Sequence, residues 1–489
     1  MATSARGPGL SADSVIYLEG ARYLAADGEF SAHTMHGDRF PVVHWPPLFS
    51  FLLSLFVQAG LDPTEGGRWL NALAHGGTAA LAGWSAWRLT AKPLAGACAA
   101  WLYACAPGAL FSACWIWSES LFTLLALGCA VSLAGALRTG KARWLILSAV
   151  LAGLACLQRY AGLFLLGAVP AAVLLFGTGN WKARSRLAGL WLPLAALPHV
   201  AWSLRNKLAT GQASTRALDV HGIPWGHWKD CASTLSKWLL PPEVPWQVRG
   251  AVLLLACTVL AAAAGVAIHT WVRRRAWPFG AFCMAFCGAY VALVLLTIAL
   301  FDRTTPLDDR MLSPLVAGLA LAAGAAFARP PVAWVLAVRV LIVLLMLAFG
   351  IRVHGVVTVA RGGLGYSAPV WSESPLARAV RALPADTRIW SNRPDVLRLG
   401  RDSELRSLPT THHADALRAE EWPRDDRYEA RARKLQDELR DADGRVAYFR
   451  CGWEFYAPLE QTLIDLDLEV EHEFPDGWML KPRAKPAHP

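Results

Sequence analysis

Charged side chains are scarce in this chain. Lys, Arg, Asp and Glu make up 17% of its 489 residues, against about 25% in an ordinary soluble domain. That shortage excludes a soluble globular protein. Apolar residues form 55% of the chain and gather into runs, several longer than the ~18 residues that mark a membrane helix. The sequence reads as a polytopic membrane protein. Residues 1–12 lack the apolar stretch of a signal peptide. No Gly-rich phosphate loop follows a strand candidate, which argues against a nucleotide site. No repeated halves are found, and few acids sit mid-helix, which disfavours a transporter. The ten cysteines fall mostly within apolar runs and show no metal-site spacing. Cys231 and Cys451 lie outside those runs, and nothing in the sequence supports a bridge between them.

The apolar segments read as 46–60, 68–88, 94–113, 117–137, 144–157, 160–178, 188–203, 250–271, 278–301, 311–328 and 332–350. The net charge is +10, but its distribution reads as membrane topology rather than as a nucleic-acid surface. Arg88 and Lys92 form one basic cluster; Arg138, Lys141 and Arg143 form another; Lys182, Arg184 and Arg186 a third; Arg273, Arg274 and Arg275 a fourth. Arg329 stands alone. Two crossings separate each cluster from the next, so all are expected on the cytoplasmic side. The 14 acidic residues before position 371 then lie on the outer side. That register requires 46–60, short and opened by Pro46-Pro47, to be interfacial or re-entrant. Ten crossings remain, with both termini outside. An outer N-terminus with no preceding helix suggests that a first helix is missing upstream.

The expected organisation is a first outer loop at 1–66, a transmembrane helical domain at 67–352 with an outer loop at 204–249, and an extracytoplasmic domain at 365–489. The Trp-rich 204–249 loop suits short amphipathic helices at the bilayer surface. In the C-terminal part, 388–392, 445–450, 467–473 and 478–481 read as strands. Residues 376–383, 394–400 and 426–441 read as helices. Alternation of the two suggests a small α/β domain.

Few polar residues sit where chemistry needs them. Asp13, followed by Tyr17 and Arg22 on a short helix, reads either as a helix N-cap or as a general base toward an acceptor hydroxyl; spacing alone favours the cap. Glu119 opens a membrane helix, as a favourable terminal charge or as a functional acid that assists catalysis or helps hold a divalent cation. Arg159, Arg205 with Asn206, and Arg310 fall at outer helix ends. Such arginines often meet lipid headgroups, yet paired guanidinium donors also suit a phosphate. Arg339, inside the last apolar run, reads as snorkelling or paired. His33, His36, His44 and Asp38 match no compact metal motif, and His412-His413 is weaker still.

In order, Asp13-Ser…Tyr17…Ala21-Arg22…Leu24…Gly28-Glu-Phe30, Trp45-Pro-Pro-Leu-Phe49, Leu70-Asn71, Trp117-Ser-Glu119-Ser-Leu-Phe, Trp202…Arg205-Asn206…Gly211 and Asp309-Arg310-Met-Leu-Ser-Pro314 form a pattern spanning nearly the whole chain. It resembles the GT-C superfamily of polyprenyl-phosphate-sugar-dependent glycosyltransferases. The nearest likeness is to protein O-mannosyltransferases (glycosyltransferase family 39) and lipid A aminoarabinose transferases. The resemblance implies a mainly α GT-C-like bundle with a small C-terminal α/β domain, in the plasma or inner membrane. It implies a first-loop acid at Asp13 and a lipid-phosphate donor held between outer helix ends, for which Arg159, Arg205 and Arg310 are the candidates, with Tyr17 and Asn206 beside them. It implies sugar transfer to a lipid, glycan or protein acceptor with polyprenyl phosphate leaving, usually with inversion. Many members carry an acidic pair where this chain has Asp13-Ser14. The rival reading is a non-catalytic lipid-linked-sugar binding or assembly protein of cell-surface polysaccharide. Neither reading involves nucleic acid.

Overall fold

The computed structural model describes residues 3, 5–33, 38–214, 218–274, 279–328, 333–399, 405–411, 427–451 and 456–483. Along the chain, α1 (Ala12–Ala26) leads into a hairpin of β1 (Ser31–His33) and β2 (Arg39–Pro41). Helices α2 (Leu48–Gln58), α3 (Pro63–Thr90), α4 (Pro93–Ala104), α5 (Pro107–Ala113), α6 (Glu119–Thr139) and α7 (Ala142–Gln158) follow. A 3-10 turn (Tyr160–Leu163) precedes α8 (Phe164–Phe176), α9 (Trp181–Thr210), α10 (Trp225–Leu239) and α11 (Trp246–Arg274). Helices α12 (Phe279–Leu300), α13 (Asp309–Phe327) and α14 (Ala333–Arg361) complete the helical part. The remainder runs α15 (Pro369–Ser372), α16 (Pro375–Ala382), β3 (Ile389–Ser391), α17 (Pro394–Arg398), β4 (Leu405–Ser407), α18 (Tyr428–Asp441), β5 (Arg445–Phe449), α19 (Leu459–Asp465), β6 (Leu468–Phe474) and β7 (Gly477–Pro482).

Contacts divide the chain into two compact units, residues 1–4 with 43–361 and residues 5–42 with 362–489. The helical unit carries all eleven apolar segments on helices. Among the described residues five helices, α6, α9, α12, α13 and α14, are long and apolar enough to cross a membrane. Helices α4 and α5 make a sixth if counted as one span bent by 58°. Segment 94–113, read from sequence as one apolar segment, is broken into these two helices. Pro107 supplies no amide hydrogen and pushes Ala106 to an extended backbone (φ −61°, ψ 118°), which stops the helix. Segment 46–60 is an eleven-residue helix reaching only about 16 Å, too short to span. Helix α9 is longer than the apolar window 188–203 suggested, since basic turns extend it at both ends.

Small residues let these helices pack closely. A Cβ on Gly83 of α3 would meet Ala100 of α4 at 2.9 Å, and one on Gly96 would meet the Gly83 carbonyl oxygen at 2.8 Å. Three of the basic clusters lie at helix ends. Arg138 and Lys141 flank the α6–α7 turn, Lys92 Nζ donates to the Ala328 carbonyl at the end of α13 (2.8 Å), and Arg184 donates to the Leu174 carbonyl near the end of α8 (3.1 Å). Arg339 donates to the Phe327 carbonyl (3.0 Å), as a paired intramembrane arginine should. Arg275, Arg329, His36 and His412-His413 lie outside the described residues.

The second unit holds a five-stranded sheet in the order β4-β3-β5-β7-β6. β3 runs parallel to both β4 and β5, whereas β7 is antiparallel to β5 and β6. The four strands read from sequence are present; β4, α19 and the β1–β2 hairpin were not foreseen. The N-terminal segment packs on this unit. Leu10 exchanges backbone hydrogen bonds with Leu364 and Tyr366 (3.3 and 2.8 Å), and Val15 of α1 joins the core of Leu376, Ile389 and Phe449. Sequence gave no sign of this pairing of chain ends. Cys231 and Cys451 are both free thiols.

Candidate functional site

Loop 115–118, between α5 and α6, is fixed by two buried amides. Asn71 Nδ2 of α3 donates to the carbonyls of Trp115 (2.7 Å) and Trp117 (2.9 Å), and Gln158 Nε2 at the end of α7 donates to that of Ser118 (3.0 Å). The loop thus delivers Glu119 to the first position of α6, where a negative charge is favoured. Glu119 is 1% exposed, and an ionised acid so buried needs partners. Arg159, just beyond α7, and Arg310, in the first turn of α13, both pair with Glu119 Oε1. Arg159 also donates to Ser118 Oγ (3.2 Å), and the Arg310 guanidinium lies 4.8 Å from the centre of the Trp117 ring. Trp117 in turn stacks on Trp115 at 4.4 Å. Asp308 caps α13 by accepting from the Arg310 and Met311 amides (3.1 and 3.2 Å); burial pushes its carboxyl above the ordinary range.

Three sequence-selected residues, Glu119, Arg159 and Arg310, therefore meet. Two cations share one anion, with the Asp308 carboxyl also within electrostatic reach of Arg310 and Glu119, and each guanidinium has five N–H donors to distribute. One turn further along α6 and α13 begins a small apolar cavity of about 60 Å³, lined by Phe122, Phe164, Phe286, Tyr290, Pro314 and Gly318 among others. The Tyr290 hydroxyl donates to the Met311 carbonyl (2.8 Å), closing the wall next to Arg310. A cationic pair beside an apolar cavity suits an anion carried on a hydrocarbon tail.

Arg205 and Asn206 lie at the end of α9. Arg205 donates to Asn206 Oδ1 (3.3 Å) and covers Trp202 (5.0 Å), whose indole N–H donates to the Tyr160 hydroxyl (3.1 Å). That chain leads to the residue following Arg159, but no contact of Arg205 or Asn206 with Glu119 is present among the described residues.

Asp13 and Tyr17 belong to the other unit. The N-cap of α1 is Ser11, with Ser14 Oγ accepting from its amide (3.0 Å), which corrects the N-cap reading of Asp13. Asp13 stands half-buried in the first turn, and Tyr17 is buried. In the same unit Glu19 accepts from the amide (3.0 Å) and ring (3.3 Å) of His33, whose other nitrogen meets the Tyr23 hydroxyl (3.1 Å). Burial pushes the Glu19 carboxyl up, but His33 and the Arg398 charge outweigh it and hold it below the ordinary value. Among the described residues no three His, Cys, Asp or Glu side chains gather as a metal site. Sequence reasoning missed Gln158 and the role of Asn71. Their only signal was adjacency to Arg159 and to the Leu70-Asn71 pattern.

The resemblance read from sequence is borne out as a resemblance, by a family match over part of the chain and by a fold shared with solved structures. The dolichyl-phosphate-mannose-protein mannosyltransferase family matches residues 12–204. The structure of ArnT from Cupriavidus metallidurans bound to undecaprenyl phosphate superposes with a TM-score of 0.62 at 13% identity, covering 100% of this chain and 96% of that one. The oligosaccharyltransferase of Archaeoglobus fulgidus in its apo form gives 0.54 at 11% identity, covering 91% and 66%. The same archaeal enzyme, AglB, has been solved with an inhibitory peptide and a dolichol-phosphate (0.50, 11% identity, covering 91% and 66%). No curated protein matches by sequence.

Proposed function

We propose that this chain is a membrane glycosyltransferase that moves a sugar, a hexose or related unit, from a polyprenyl-phosphate donor to a lipid, glycan or protein acceptor on the outer face of the plasma or inner membrane. The observation that carries this reading is the convergence of Arg159 and Arg310 on Glu119 beside an apolar cavity. The guanidiniums hold the donor phosphate, with Arg205 and Asn206 as further ligands, and the first isoprene units enter the cavity. The acceptor hydroxyl loses its proton to a carboxylate base as its oxygen bonds to the anomeric carbon, a role that the family resemblance assigns to Asp13, with Tyr17 beside it in the chain. The bond from that carbon to the phosphate oxygen breaks, and polyprenyl phosphate leaves with the electron pair. Glu119 holds the arginines and assists from within the cluster. Counting α3, α7, α8 and α11 with the six spans gives ten crossings, with the C-terminal α/β unit outside the cytoplasm.

The test is transfer from radiolabelled polyprenyl-phosphate sugars in proteoliposomes. Asp13→Asn is expected to lower kcat at least 100-fold, within the range of a lost general base, while undecaprenyl-phosphate binding stays at the wild-type level. Equal turnover by the variant would remove Asp13 from the mechanism. The rival, a binding or assembly protein, predicts lipid-phosphate binding without turnover and a phenotype sensitive to Arg310→Ala but not to Asp13→Asn.

A further inference from the structure

Neither Asn71 nor Gln158 carries charge, and both are fully buried in the helical unit. Each has turned its N–H₂ toward loop carbonyls and left its own oxygen, Asn71 Oδ1 or Gln158 Oε1, buried with no hydrogen-bond partner among the described residues. Such an oxygen is destabilising, and an apolar side chain of the same shape would remove it only by giving up the donors to the loop carbonyls. The amides are therefore kept for the loop they hold.

Asn71 grips the carbonyls of Trp115 and Trp117 together, fixing the stacked indoles and the ring that faces Arg310. Gln158 grips the carbonyl of Ser118, whose hydroxyl accepts from Arg159. Each amide thus governs one arginine through one loop residue. We propose that Asn71 and Gln158 are positioning residues of the anion site, setting the Arg310 and Arg159 guanidiniums at the spacing a lipid phosphodiester needs. This rests on the reading of those arginines as the phosphate site.

Wild type, Asn71→Leu, Gln158→Met and Arg310→Ala are compared in full-length protein for undecaprenyl-phosphate affinity, donor KM and kcat. Asn71→Leu and Gln158→Met are expected to raise Kd for undecaprenyl phosphate and donor KM at least fivefold. A merely destabilised variant loses active fraction instead, lowering kcat at unchanged KM. On an Arg310→Ala background Asn71→Leu is expected to add less than twofold, because its arginine is gone, while Gln158→Met retains its full effect. Asn71→Asp, whose protonated acid keeps one donor, falls between Leu and wild type and serves if the Leu variant does not fold. Wild-type affinity in Asn71→Leu and Gln158→Met, with affinity lost in Arg310→Ala, overturns the positioning role alone. Wild-type affinity in Arg310→Ala overturns the phosphate site itself.

Discussion

Glu119→Gln separates the electrostatic work of the cluster from its shape. The amide keeps an oxygen that accepts from one arginine, so the packing of α6 on α7 and α13 is retained. What disappears is the carboxylate shared by two guanidiniums whose side chains are 14% and 23% exposed. Removing one partner of a buried ion pair costs about 3–5 kcal/mol, and the partial exposure of the arginines points to the lower end. The ligand-free variant should melt below wild type. Polyprenyl phosphate, a monoester of charge about −1.5 to −2, should meanwhile bind more tightly, because no carboxylate competes for the donors. One unit charge at ~5 Å and an effective dielectric of about 20 corresponds to roughly 3 kcal/mol, so a tenfold gain in affinity is a conservative expectation. Thermal melts of detergent-solubilised protein across an undecaprenyl-phosphate titration read both effects at once. The variant should start lower and gain more per concentration of lipid. Coincident curves for the two proteins would refute the coupling of Glu119 to both arginines.

Two further predictions concern other parts of the molecule. Gly318 lines the cavity, and a Cβ there would meet Cys287 Sγ at 2.4 Å. Gly318→Val should raise KM at least fivefold for a long polyprenyl donor and less for a two-isoprene analogue, measured in the same transfer assay, and Cys287→Gly should recover part of the loss. In the α/β unit burial pushes the Asp395 carboxyl up to about 6. A carboxyl raised in the folded state binds a proton that the unfolded chain has released, so stability is lost as pH rises from about 4 through 6. The shift corresponds to an order of 3 kcal/mol. Hydrogen exchange at β3 and β5 should show weaker protection at pH 7.5 than at pH 4.5, and Asp395→Asn should flatten that dependence.

Much of the cluster was legible because charge is rare in this chain. An ionisable side chain at membrane depth must find a partner, and Glu119, Arg159 and Arg310 stood out against apolar runs. Their mutual contact was not readable, since they come from three helices far apart in sequence. All eleven apolar segments became helices because hydrophobic runs of that kind are decided locally, by composition. The break before Pro107 was signalled by the proline and overridden by the apolar run around it. Asn71 and Gln158 were overlooked because a neutral amide carries no periodicity or charge signature, and only the carbonyls it meets reveal its part. Strand β4, three residues long, takes its identity from pairing with β3. The joining of residues 5–42 to 362–489 depends on backbone pairing at Leu10, for which single-sequence patterns hold no signal.

The charge of the cluster bears on whether the chain turns over or only binds. In the proposed site a sugar phosphodiester, with its one negative charge, would meet two arginines that share the Glu119 carboxylate. On the proposed reaction the departing phosphate gains charge as the glycosidic bond breaks, and arginines already oriented would stabilise that gain as it develops. The product is then bound by attraction that Glu119 moderates, because the carboxylate stands ready to take back both guanidiniums as the lipid leaves. A protein whose task was to retain a lipid phosphate would gain from a bare +2 pair, with no carboxylate competing for the same donors. Glu119, buried and shared by both arginines, weakens product binding while keeping the empty site folded. That combination serves release, which a catalyst needs on every cycle and a binding protein does not.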